Sequence, residues 1–372
     1  TLQFTIPTHG HFTSDMMIHI RFNPIGDPDA DTNTIPMPRE NDEPPYLRYC
    51  ALPGLRMFKK IELRSDQVLI DDYTRDDAVA YSKFFVREDQ RAGWERCHGQ
   101  QDLLEGNFIG FGHTGCYMYR NGPQTGKYYH PALDLFIPLQ FWFCRDAAHA
   151  LPNDLIPNSQ RTITCELAPL QEIVNAVQTF VLRPVEVDLP FSKLEFQAEL
   201  YVNGLYVNPE IHDIFASRIG FSLIRVHRRQ TIQMQHIKDS LLLDQLKFPA
   251  EYLLVGVRAK ALQFYQNFEA WWMMGFPSDG DGEILKDNLY TTVANVPPGR
   301  GGFVTPVVPA TTLYNPIDTI GVTAHGIEIF PETSAVFYNA YMPIRYAENS
   351  MVVSPKDTST FLINFCLYPG KF

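Results

Sequence analysis

The chain predicts an all-β fold: two tandem antiparallel β-sandwiches or jelly rolls, with long loops and few short helices. Three observations carry that expectation. Of the 372 residues, 13% are aromatic and 28 are proline. That pairing suits many short strands between punctuated loops better than a helical bundle. Apolar residues recur in short alternating runs bounded by Pro, Gly, Asn and Asp. A block near the start also returns later in the chain at a constant offset of 137 positions, with Glu62 matching Glu199, Leu63 Leu200, Val68 Leu205, Ile70 Val207, Asp76 Asp213 and Phe84 Phe221. A period this long means two copies of a domain rather than a solenoid.

The elements follow in order. Thr1–Ile6 alternates as a strand and stops at Pro7. Residues 23–45 hold six prolines among acidic and polar residues and predict a loop. Strands are expected at Phe58–Leu63 and Val68–Ile70, followed by a short helix over Asp71–Ala80 with Asp and Thr as caps. The run Leu135–Cys144 is apolar on both faces and predicts a strand buried between two sheets. It is too short to span a membrane, and Pro138 excludes a helix interior. Leu170–Val181 has its apolar residues at helical spacing.

In the second copy, Phe196–Leu200 is a strand, Asn203-Gly204 a hairpin turn and Leu205–Val207 the return strand. Pro209 then opens a short helix and Arg218–Val226 is a strand. Residues 276–316, rich in Pro and Gly, form a long loop. Ile320–Ile329, Val336–Ile344 and Phe361–Leu367 complete the strands. The length exceeds what one core usually serves. The expected domains are therefore 1–183 and 184–372, divided at Pro184.

Composition narrows the function. A net charge of −11 is wrong for a general grip on phosphates, so direct binding to nucleic acid is not expected. The one dense basic spot, His227-Arg228-Arg229, reads as a solvated turn. The six cysteines form no C-x-x-C pair, and Cys144 and Cys366 sit inside apolar runs as small hydrophobes. With no N-x-S/T acceptor and no secretory leader pattern, a reducing compartment is expected. A first residue of Thr1 points to a fragment.

Candidate chemistry is sparse. His9, His11 and Asp15 have the spacing of half a cupin metal motif, but only His325 is left to complete it, so a polar turn is the expectation. Gly122–Lys127 has one residue too few for a phosphate loop, Tyr128 where a hydroxyl ligand belongs, and Pro123 in place of a needed N–H. Asp27, Asp29 and Asp31 alternate as in a Ca²⁺ loop but lack its Gly and distal Glu. Trp271, Trp272, Met273 and Met274 suit either a stacking platform or, more often, core or a subunit anchor. No catalytic, cofactor-binding or metal-binding residue is assigned.

Three longer blocks carry a resemblance. They are Asn121–Tyr129 running through Phe141-Trp142-Phe143, Leu151-Pro152 and Ile156-Pro157 to Ala168; Leu200–His212 through Phe221–His227; and Val322–Ile327 with Tyr341–Pro343 and Tyr346. In these the chain resembles the major capsid proteins of nucleocytoplasmic large DNA viruses, in the African swine fever virus branch and nearest the Faustovirus type. The resemblance implies a double jelly roll of two eight-stranded sandwiches. It implies a homotrimer with pseudo-hexameric outline, tiling an icosahedral shell beside other capsomers and minor capsid proteins. It implies no enzyme activity, a place in the virion, and assembly in the host cytoplasm. Such proteins begin earlier and continue past Phe372, so closing strands of the second jelly roll are expected to be missing here. A carbohydrate- or metal-binding jelly roll of lectin or cupin type is the alternative.

The Pro- and Gly-rich 277–316 loop is expected on the exposed top of the trimer, because it cannot supply a regular backbone ladder. Limited proteolysis of intact oligomer should cut near Arg300 before it cuts within 135–145 or 218–226. Protection of Arg300 while those strands are cut would place the loop inside an interface.

Overall fold

The computed structural model describes residues 1–28, 46–100, 128–153, 160–180, 183–218, 224–258, 271–278, 312–314, 317–347 and 359–366, apart from seven single positions between 235 and 275. Chain order begins with β1 (Leu2–Thr5), β2 (Phe12–Phe22), β3 (Ile25–Gly26) and β4 (Tyr46–Tyr49), then α1 (Pro53–Arg56). Next come β5 (Phe58–Ser65), β6 (Val68–Thr74), α2 (Arg75–Phe85) and α3 (Glu88–Cys97). After them lie β7 (Tyr129–His130), β8 (Leu133–Pro138), α4 (Trp142–Arg145), β9 (Leu151–Pro152) and β10 (Arg161–Leu167). There follow α5 (Leu170–Ile173), β11 (Val174–Phe180), β12 (Arg183–Val187), β13 (Phe196–Leu205) and α6 (Pro209–Arg218). The remainder is β14 (Tyr252–Gly256), β15 (Phe276–Ser278), β16 (Thr312–Tyr314), β17 (Thr319–Ala324), β18 (Ile327–Ser334), α7 (Met342–Tyr346) and β19 (Thr360–Asn364).

Two antiparallel sheets, ordered β1-β10-β5-β6 and β13-β2-β8, contribute to one large core. β2 is its spine. Met16, Ile18, Ile20 and Phe22 alternate inward from it, the period-two pattern of a strand with one buried face. Ile61, Leu63, Ile163 and Cys165 enter the same cluster from the other sheet. A third sheet, β12-β11-β4, adds Leu47, Tyr49, Val174 and Ala176. The later strands form smaller units. β14 pairs with β19 and β17 with β18, and their side chains enclose a second cluster around Tyr338, Met342, Phe361 and Ile363.

Several sequence expectations are corrected. The run 135–144 is not one strand covered on both faces. β8 alternates, with Leu135 and Ile137 buried and Phe136 38% exposed. The ladder ends at Pro138, paired with Met17, and the chain turns into α4. Trp142 is nonetheless core, together with Phe141 and Phe143. The expected helix over 170–181 is a single turn, α5, followed by β11. Its β-branched residues suit a strand, and it finds ladder partners in β4 and β12. Residues 71–74 extend β6, so α2 begins at Arg75, with the Asp77 carboxylate accepting from the Thr74 N–H and hydroxyl. Residues 337–346 are helical rather than extended. Described residues 224–226 form no strand. Residues 320–329 span two strands, β17 and β18, turning at His325-Gly326.

Asn203-Gly204 is not a hairpin turn either. β13 runs straight through it beside β2, with a bulge between Val202 and Gly204. A Cβ at Gly204 would lie 2.8 Å from the His9 carbonyl oxygen, so the glycine serves close approach rather than a turn. This corrects the residue-by-residue repeat as well. Leu63 pairs with Ile163 and Asp71 inside a four-stranded sheet, whereas Leu200 lies opposite Ile18 of the other sheet. What recurs is a short helix, α2 and later α6. The expected boundary at Pro184 meets no break in pairing: the β11–β12 hairpin straddles it, and β13 still belongs with β2.

Truncation of Trp142, 6% exposed, to alanine should cost about 3–5 kcal/mol. Denaturant unfolding of the Trp142→Ala protein measures it. Wild-type stability in that variant would mean the core lies elsewhere.

Candidate functional site

The chemistry of this chain concentrates where α2 meets the polypeptide from residue 224 onward. The contact has an apolar part. Phe84 on α2 is fully buried against Leu362 of β19, with Phe85, Tyr252, Leu254 and Tyr346 around them. Earlier residues of the same helix, Ala78 and Val79, belong to the large core. Lys83, 5% exposed, donates to the Thr360 hydroxyl at 3.3 Å.

The polar part centres on Asp71, which has no exposed surface. One carboxylate oxygen accepts from the backbone N–H groups of His227 at 2.7 Å and Asp72 at 3.0 Å. The other accepts from Nδ1 of His227 at 2.9 Å. Nε2 of His227 faces the Arg145 guanidinium at 3.0 Å. These partners assign the ring proton to Nδ1, because a guanidinium can only donate. Arg145 is itself held by the Gln140 carbonyl at 3.3 Å, the Tyr252 hydroxyl at 3.2 Å and the Tyr81 ring face at 4.3 Å.

At the start of α2, Asp76 accepts from Arg229 at 3.1 Å and Arg258 at 3.2 Å, and Arg229 also donates to the Thr74 hydroxyl. Acidic residues there complement the helix dipole. Burial works to raise the Asp76 pKa, but Arg258, Arg229 and Arg75 outweigh it, and the carboxyl ends below its ordinary value. The basic spot 227–229 is therefore not a solvated turn. Two of its three residues clamp the later chain onto β6 and α2. Nothing in the linear sequence pairs Asp71 with His227, since they lie 156 positions apart.

The other candidates have structural employment. Nδ1 of His11 accepts from the Val207 N–H at 3.0 Å, and its ring lies 5.0 Å from that of His212. Asp15 accepts from Asn203 at 2.9 Å, and His9 offers its carbonyl to Asn153 at 3.4 Å. His325 stands at the β17–β18 turn with φ of 52°. Among the described residues no group of three His, Cys, Asp or Glu is placed to hold a metal. Asp29, Asp31, Met273 and residues 122–127 lie outside the described residues.

Trp271 is core. Its indole N–H donates to the Ala51 carbonyl at 2.6 Å, and the guanidinium groups of Arg56 and Arg75 lie 5.5 and 5.7 Å from the ring. Met274 is buried as well. A cavity of about 10 Å³ between Leu55, Tyr73, Ala78 and Ile137 has room for one water at most. Burial pushes the Cys144 and Cys165 thiols up to about 12, which leaves them unreactive near neutrality. Among the described residues no helix is long and apolar enough to cross a membrane.

No family model matches the chain. It is similar to two proteins of African swine fever virus: a major capsid protein, at 32% identity over 87% of this chain, and hexon protein p72, at 30% over the same share. In each case it spans 64% of the relative's length. In structure it resembles the Faustovirus major capsid protein, with a TM-score of 0.71 and 24% identity over 99% of this chain and 80% of that one. It also resembles the PBCV-1 virus capsid, with a TM-score of 0.60 and 12% identity. The chain is thus a relative of these capsid proteins, and the resemblance seen in its three sequence blocks holds. So does the fold class, an all-β double jelly roll.

A depressed carboxyl stabilises the fold above the ordinary carboxylate range and loses that contribution as pH falls through its lowered value. The junction should therefore weaken in acid through Asp76. Thermal midpoints of wild type and Asp76→Asn should differ most near pH 7 and converge below about pH 4. A constant gap down to pH 2 would show that the Asp76 charge does not hold the junction.

Proposed function

We propose that this chain is the structural subunit of an icosahedral capsid, the major capsid protein of a large double-stranded DNA virus. The observation that carries it is the likeness over nearly the whole chain: 99% of it matches the Faustovirus capsid fold, and 87% aligns with African swine fever virus capsid sequences. In this reading the chain is a homotrimer with pseudo-hexameric outline. It contacts neighbouring capsomers and minor capsid proteins, resides in the virion and is assembled in the host cytoplasm. Its role is not enzymatic. The buried charged groups described above are spent on joining chain segments, which is what a load-sharing subunit needs.

The first jelly roll extends past Pro184 to include β13, and the second begins beyond α6. A flat sandwich presents broad sides to its neighbours, and permanent interfaces of this sort bury roughly 2,000–5,000 Å². The double fold lets three chains fill a six-sided outline.

Negative-stain imaging and native mass of the purified full-length protein test the proposal. Hexagonal particles of three-chain mass are the expected result. A monomer that retains a sugar or metal through gel filtration would instead support the lectin or cupin alternative.

A further inference from the structure

The sheet β13-β2-β8, in which β9 also pairs with β2, has four strands, as has β1-β10-β5-β6. β13 lies at one end, and among the described residues no strand pairs with its outer edge. The register shows which groups that edge exposes. The Glu195 carbonyl accepts from the Asn23 N–H at 2.9 Å, and Phe196 stands opposite Phe22. By antiparallel alternation, Gln197, Glu199 and Tyr201 turn their N–H and C=O toward β2. The backbone groups of Phe196, Ala198, Leu200 and Val202 therefore point outward.

The side chains tell the same story. Phe196, Ala198, Leu200 and Val202 all pack on the large core, yet each stays partly exposed. That is the burial of a strand covered on one flank only. Edge strands are usually guarded by Lys, Pro, an inward charge or short length. β13 is ten residues long with no Lys, Arg or Pro, and its one charge, Glu199, lies on the exposed face. On a chain of net charge −11, a nearly neutral strand is where two copies can approach without repulsion.

We propose that the outer edge of β13 accepts a strand from a neighbouring copy of this chain, completing the sheet by strand addition. The proposal rests on the capsid-subunit reading, which supplies adjacent copies. Pairing β13 with β13 would close a two-fold dimer. A three-fold capsomer therefore uses a different, extended segment of the neighbour, with apolar residues alternating toward the core.

Residue-resolved hydrogen exchange on the full chain, in its oligomer and after dissociation, provides the test. The amides of Ala198, Leu200 and Val202 should exchange roughly ten-fold or more slower in the oligomer than in isolated subunits. Ala198→Pro removes an outward N–H while sparing the ladder to β2. It should keep the subunit's thermal midpoint and raise the concentration needed for assembly roughly ten-fold or more. Free exchange at these amides in an intact oligomer, or assembly of Ala198→Pro like wild type, overturns the proposal and leaves the capsid reading standing. Equally slow exchange in isolated subunits also overturns it, because the cover would then come from the same chain. A wild-type protein that stays monomeric overturns the capsid reading and the proposal together.

Discussion

One short helix must serve two cores. α2 sends Ala78 and Val79 into the large cluster between the first sheets and Phe84 into the cluster with Leu362. An ordinary surface helix has one apolar stripe and one wet face. This one has apolar contacts on two sides, so neither body of strands can shift without opening the other's packing. Trp271 repeats the device from the opposite direction, reaching back from the later chain into the large core.

Around that helix the polar groups are arranged so that no partner can be removed cheaply. Asp71 has no exposed surface, and its carboxylate is satisfied by two backbone N–H groups and His227. Deleting His227 would strand a buried charge, and such losses exceed the net worth of the pair itself. The clamp thus fixes orientation more than it adds stability. Apolar contact alone would let two smooth surfaces slide. A bidentate carboxylate with an imidazole and a guanidinium in line accepts one geometry.

Much of the fold was legible along the chain. β1, β5 and the first half of β13 announce themselves by alternation, α6 by Pro209 at its head, and the all-β class by aromatic and proline content, whereas no strand is expected from the sequence over β2, the spine of the large core. The failures have identifiable causes. Apolar periodicity over 170–181 fits a helix and a strand alike, and β4 and β12 settled the choice by offering ladder partners. Asn203-Gly204 carries the local chemistry of a turn, but β2 continues alongside and holds the strand straight.

The sequence by itself determined the class of fold, several of its strands and the likeness to capsid proteins. These depend on local alternation, composition and long ordered matches, all of which survive in one dimension. Only the tertiary structure decided which strands neighbour one another, and that His227 and Arg229 are clamps rather than a wet basic turn. The physical reason is distance along the chain. A buried carboxylate selects its partner by position and hydrogen-bond geometry in space, and the 156 residues between Asp71 and His227 carry no trace of that choice.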